Sequence, residues 1–175
     1  SREGEIAGIR EFQKGDKISQ VLWSKYAKNQ KLCVGDNNDG MAFFEKGNRK
    51  LLVINNEYCN LSIMHHYSDG ILTSDDITKN MFAHGITIIE VEETNGKWVL
   101  KKDSAYNRRI TPETEMDIKG PAAGHDLLKT SYDSTGTKAL GTWNNCGNGQ
   151  TPWGSYLSCE ENFNKYFSCS DKEQK

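Results

Sequence analysis

No stretch of this chain is apolar for long enough to span a bilayer, and its longest apolar run, Gly85 to Val91, has only the length of a strand. A membrane-spanning helix is therefore not expected. A block of lysines and arginines is also missing: 22 basic residues face 24 acidic ones, for a formal net charge of −2. Neutralising a nucleic-acid backbone takes a cationic face, so no nucleic-acid-binding surface is expected. Without low-complexity stretches or long linkers, residues 1–175 read as a single unit, long enough to bury a core. The opening "SREGEIAGIR" lacks the charged, apolar and small-residue regions of an export signal, and a start at Ser1 could equally follow removal of one. Hydrophobic residues reach only 35%, yet Trp, Tyr and Phe are plentiful, which argues against disorder and for a turn-rich β protein.

Cysteine is sparse as well. Cys33, Cys59, Cys146, Cys159 and Cys169 are too few and too irregularly spaced for a disulfide scaffold, and no CxxC occurs. An odd count leaves at least one thiol unpaired within the chain.

The clearest local signal is "GITIIEVEETNGKWVLKKD". Asn95-Gly96 supplies the two positive φ values of a type I′ turn between apolar-patterned segments, which predicts a β-hairpin. Further strands are expected at Met41 to Phe44, Leu51 to Asn55, Lys138 to Trp143 and Ser155 to Cys159, separated by Gly, Asn and Asp clusters. One short helix is expected over Ser74 to Phe82, with Thr73 or Ser74 as its cap and Asp75 and Asp76 at the positive end of its dipole. Two four-strand units suggest themselves, one from about Gly35 to Gly70 and one through the hairpin toward Lys102. That spacing suits propeller blades, although no sequence repeat marks them. The expected fold is thus mainly β: antiparallel strands forming part of an incomplete β-propeller of roughly two to three blades.

Several residues carry candidate chemistry, each with a plainer alternative. "CVGDNNDGMAFF" gathers Asp36, Asn37, Asn38 and Asp39 before Gly40, either to wrap a calcium ion or as an Asx-rich turn; its glycine and Glu45 sit wrongly for an EF-hand. Glu57 follows a buried-type strand, where a carboxylate can enter a loop-lined site or simply meet solvent. His125 and Asp126 in "KGPAAGHDLLKT" follow small residues that allow close backbone approach to a ligand, or serve a tight connection. His65 and His66, adjacent in extended chain, point opposite ways and chelate poorly; His84 at the helix end is expected to complement its dipole. Of Arg108 and Arg109, one can face a phosphate or carboxylate, unless both make surface ion pairs.

"NNCGNGQTPWGSYLSCEEN", Asn144 to Asn162, is the richest stretch. Thiolates are soft ligands and carboxylates hard ones, so Cys146 with Glu160 or Glu161 suits iron or zinc better than magnesium. Strand alternation puts Leu157, Cys159 and Glu161 on one face and Tyr156, Ser158 and Glu160 on the other. Cys159 then reads as a packing residue and Cys146, in a Gly/Asn loop, as the functional thiol. A Cys146 to Cys159 disulfide is the main rival.

Taken in order, "GDNNDGMAFF", "LLVINNEY", "AYNRRIT", "GPAAGHDLLKTS" and "LGTWNNCGNGQTPWGSYLSCEENF" resemble the N-terminal part of the PhoX-type alkaline phosphatases, from about Val21 to Phe167. The resemblance implies an exported, periplasmic or extracellular phosphomonoesterase built on a β-propeller, with ferric iron (Fe3+) and calcium held by carboxylates and one cysteine. It implies Cys146 as the iron thiolate and Glu160 or Glu161 as a metal carboxylate, these three being the catalytic candidates. Glu57, Asp126 and His125 follow as weaker metal ligands, and Arg109 and Asn145 as substrate-binding candidates. Asn56 departs from the His that relatives carry in "NHEYT". Family chains are several times longer, so the remaining blades, expected on the same native chain, would complete the enzyme and this portion alone would be inactive. Different functions are compatible with the same loops: a calcium-stabilised propeller acting as a binding module, or a calcium-dependent propeller hydrolase such as a lactonase or phytase.

Overall fold

The computed structural model describes residues 34–65 and 72–166; Cys33, His66 and Cys169 lie outside them. The chain forms β1 (Asn38–Lys46), β2 (Arg49–Asn56), α1 (Leu61–Met64), α2 (Ser74–Ala83), β3 (Gly85–Thr94), β4 (Lys97–Leu100), β5 (Arg108–Ile110), β6 (Glu115–Asp117), β7 (Lys138–Leu140), β8 (Asn145–Gln150) and β9 (Tyr156–Glu160).

All of the strand pairing is antiparallel. β1, β2 and β3 run side by side, and both β4 and β5 pair with β3. β4 takes Val91 to Thr94 of β3, and β5 takes Ile86 to Ile88 on the edge that β2 leaves open. Asn107 bridges the gap between β4 and β5 like a piece of strand: its Oδ1 accepts from Glu90 N at 2.8 Å and its Nδ2 donates to the carbonyls of Lys101 and Lys102. The two four-strand units expected from the sequence are therefore one sheet, in which an interrupted outer strand completes what began as β1 and β2. Two further pairs, β6 with β7 and β8 with β9, stand beside it. The architecture is an open, mainly antiparallel β fold with few helices, as part of an incomplete propeller would be.

Val53, Ile86 and Ile88 form the centre of the core, with Phe44, Ile110 and Tyr156 packed against them. Burial of each such side chain contributes about 1.5–3 kcal/mol. Gly85 to Glu90 is buried on both faces, which explains why β3 has no alternation over that stretch.

Local signals act as expected in two places. Asn95 and Gly96 adopt φ of 53° and 74°, closing the β3–β4 hairpin. Thr73 caps α2 with a full capping box: its side chain accepts from Asp76 N and Asp76 reaches back to Thr73 N at 2.9 Å. The strand expected over Lys138 to Trp143 is shorter, because Gly141 turns to φ 79° against Pro112, where a Cβ would come within 2.3 Å of the Pro112 carbonyl oxygen.

Candidate metal centre

Two irregular points in the strands build the site. Between Asn38 and Met41, β1 carries one more residue than β2 does between Asn56 and Ile54, so Asp39 and Gly40 form a bulge opposite Asn55. Between Asn145 and Asn148, β8 does the same opposite Cys159, and Cys146 and Gly147 form that bulge. Bulges disrupt the ladder and re-aim side chains. Here they aim Asp39 and Cys146 at each other: the thiol donates to Asp39 Oδ2 at 2.8 Å across 107 residues of sequence. Gly40 allows this approach, since a Cβ there would lie 2.6 Å from the Cys146 carbonyl oxygen.

Glu57 joins them from the end of β2. Asp39, Glu57 and Cys146 can each present one ligand atom, all within 4.8 Å of one another. Asn144, at φ 49° and nearly wholly buried, donates from Nδ2 to Glu57 Oε1 at 3.1 Å, while its carbonyl accepts from Glu161 N at 2.9 Å. Glu161 lies near enough to raise both the Cys146 thiol and the Glu57 carboxyl.

The electrostatics follow from this crowding. The hydrogen bond from the thiol to Asp39 and the nearby Glu161 carboxylate, then burial and the charges of Asp39 and Glu57, push Cys146 up to about 12. Burial, followed by the charge of Asp39, raises Glu57 above the usual carboxylate range, against a smaller opposing effect of Asn144. Carboxylates and a thiol share one small volume, so Cys146 and Glu57 resist ionisation beside their acidic neighbours. A cation reverses that balance, and the mixed donors fit one: the carboxylates suit a hard ion, and the sulfur suits iron or zinc.

The other expected site residues have different work. Glu160 Oε1 accepts from Trp143 N at 2.9 Å, pinning the hairpin to the chain that enters it, so Glu161 is the glutamate of the pair at the thiol. His125 Nδ1 accepts from Leu127 N, and Asp126 pairs with Lys129 at 2.7 Å. Both are exposed, and among the described residues neither bonds to Asp39, Glu57, Cys146 or Glu161. The Arg109 guanidinium donates to the carbonyls of Ile86, Phe82 and His84, tying the end of α2 to β3. Asn145 is 1% exposed and donates to Thr142 and Ser158.

His84 and Cys159 also differ from expectation. His84 is buried, with Nδ1 against Asn80 O at 2.7 Å and Nε2 against the Tyr166 hydroxyl at 2.8 Å. Burial holds it below the usual histidine range, so it closes the helix as a neutral hydrogen-bonding group and not as a charge. His65 is buried between Asp76 and Asn80. Cys159 is exposed, because Tyr156 and Ser158 occupy the inward face of β9; it and Cys146 are free thiols, with no bridge between them. Asp39 was visible in the sequence only as part of an oxygen-rich loop; Asn55 and Asn144 carried no signal, since an asparagine's partners are set by the fold.

In this open antiparallel β fold, two facing bulges bring the Cys146 thiol to Asp39, with Glu57 beside them, a set of donors that could hold a metal ion. A family model described as alkaline phosphatase PhoX matches residues 11–175, and the chain belongs to that family. Among solved structures it is similar to Pseudomonas fluorescens PhoX in complex with vanadate, a transition state analogue, at 47% identity and a TM-score of 0.75. The match covers 81% of this chain and 25% of that one, so this chain spans about a quarter of that protein's length. No curated protein sequence matches.

Proposed function

We propose that the whole protein hydrolyses phosphate monoesters, and that this chain supplies the thiolate-bearing part of its metal cluster. The observation that carries the reading is the convergence of Asp39, Glu57 and Cys146, with Glu161 on the thiol. Family membership supports it, as does the vanadate complex of a protein 47% identical.

Cys146 and Glu161 are the residues we assign to the metal and the reaction, with Glu57 and Asp39 as further carboxylate ligands. Of the two ions, ferric iron is the one we place at the thiolate, for which calcium has no use, and calcium at the outlying carboxylates. Bound cations supply the positive charge that offsets a phosphate group's oxygens during transfer. The chain's own residues prepare for this. Cys146 would lose its proton to solvent on binding, and its hydrogen bond to Asp39 Oδ2 already holds the sulfur beside the carboxylates that would share the ion. Asn144 orients Glu57 and fixes the backbone from which Glu161 projects.

A mixed groove of about 860 Å³, where Phe44, Val53, Ile88 and Tyr156 meet the charged Arg49 and Arg108, lies on the sheet face and includes none of these ligands. We read it as the seat of further strands of the parent propeller. The same reading has the protein act in the periplasm or outside the cell, which fractionation checks.

Metal analysis of the whole protein is the test. Iron together with calcium is expected; calcium without iron would sink the phosphatase reading and favour a calcium-stabilised binding module or a calcium-dependent hydrolase.

A further inference from the structure

Asn55 sits directly opposite the β1 bulge, is 0% exposed, and bonds to the other bulge. Its Nδ2 donates to the carbonyls of Cys146 at 2.8 Å and Gly147 at 3.1 Å. Its Oδ1 accepts from Ser158 Oγ at 2.9 Å and faces the Tyr156 hydroxyl at 3.0 Å. That hydroxyl is equally 3.0 Å from the Gly40 carbonyl, and shares its single proton between the two oxygens. The amide's orientation is settled chemically: a flipped Asn55 would set its oxygen against two carbonyl oxygens. All of its hydrogen-bonding capacity is in use, so it is a rigid spacer.

We propose that Asn55, braced by Tyr156 and Ser158, is the positioning residue of the centre: it grips the Cys146–Gly147 bulge from behind and sets the distance from Cys146 to Asp39. The bracket spans both ligand-bearing segments, because Tyr156 reaches Gly40 and Asn148 Nδ2 donates to Met41 O at 3.0 Å. Its effect on metal affinity rests on reading Asp39 and Cys146 as ligands; its effect on the position of the thiol does not.

The test uses the whole protein, stripped of metal and titrated with cobalt(II), whose thiolate absorption band reports Cys146 directly. Asn55→Asp puts an oxygen against the two carbonyls. It is expected to weaken cobalt binding about 10–100-fold and to shift or diminish the band, in line with other residues that orient ligands. Tyr156→Phe and Ser158→Ala, which each remove one brace, are expected to weaken binding by about threefold or more. A folded Asn55→Asp protein with wild-type affinity and band would overturn the proposal. If that variant does not fold, wild-type affinity in both brace variants would overturn it instead. Alkylation of Cys146 in the metal-free proteins, followed by peptide mass spectrometry, separates the two readings. A wild-type protein with no thiolate band defeats the metal reading alone, and a changed alkylation rate in Asn55→Asp then still supports the bracket. An unchanged rate defeats the bracket.

Discussion

The thiols of Cys59 and Cys146 are both pushed up to about 12, and the causes differ. Cys59 is raised first by burial: it sits behind α2, 3.4 Å from both Asn80 O and His84 Nδ1, beside the aromatic stack of Trp143 and Tyr166. Cys146 is raised first by its hydrogen bond to Asp39 and by the Glu161 carboxylate beside it, in a place that solvent reaches. A similar resistance to ionisation therefore means opposite things. Desolvation at Cys59 disfavours any charged form, so that thiol is inert packing. Carboxylate repulsion at Cys146 disfavours the thiolate only until a cation arrives, so that thiol is poised for a metal.

The largest effect is expected from exchanging the two. Cys146→Ser should abolish the thiolate–metal absorption of the whole protein and lower phosphatase activity by more than about 100-fold, beyond what loss of a merely orienting residue causes. Cys59→Ala should leave activity within about twofold of wild type and cost about 1 kcal/mol in stability, read by denaturant melts. Comparable activity losses in both would erase the distinction between them.

Next in size is Arg109. Its three carbonyl contacts hold the Cys59 region together, so Arg109→Met should destabilise by about 2–3 kcal/mol. Metal content and KM for phosphate esters should stay as in wild type; a raised KM would return Arg109 to the substrate.

A smaller effect tests the cause of the Cys146 shift. With Asp39→Asn, the pH midpoint for alkylation of metal-free Cys146 should fall from about 12 toward the ordinary thiol value, while that of Cys59 stays where burial holds it. An unmoved Cys146 midpoint would mean that Asp39 does not govern the thiol.

The smallest is a pH dependence from His84. Its folded pKa is depressed, chiefly by burial, so its neutral form contributes stability that is present above its unfolded value of about 6.5 and is lost as pH falls through the folded pKa. Thermal melts should therefore show acid destabilisation below about pH 6.5 that flattens in His84→Gln. The metal-free Cys146 region should contribute nothing to that slope through His84, which hydrogen-bonds Asn80 and Tyr166.

What could be read from the chain follows its locality. The Asn95-Gly96 hairpin and the Thr73-capped helix each depend on residues within a few positions of one another, and both stand as expected. The division into two strand units did not survive, because the outer edge of β3 is shared by β4 and β5 around Asn107, and pairing at an edge is a tertiary choice. Strand alternation grouped Tyr156 with Ser158 and Leu157 with Cys159 as the structure does, but did not tell which of the two faces is inward. The inward residues of β9 are Tyr156 and Ser158, held there by Asn55, more than 100 residues away in the chain.

By itself the sequence determined the β class of the protein, its turn and cap chemistry, and the presence in one loop of a soft sulfur ligand next to hard carboxylates, since these are properties of residue types and short spacings. Only the tertiary structure decided which carboxylates meet that sulfur. A side chain's direction in a strand reverses with each residue, so the two bulges change what Asp39 and Cys146 face. Charge coupling needs a few ångströms, which here depends on bringing together segments 107 residues apart. Glu161 at the thiol and Glu160 on the Trp143 backbone are neighbours in sequence and separate in function for that reason.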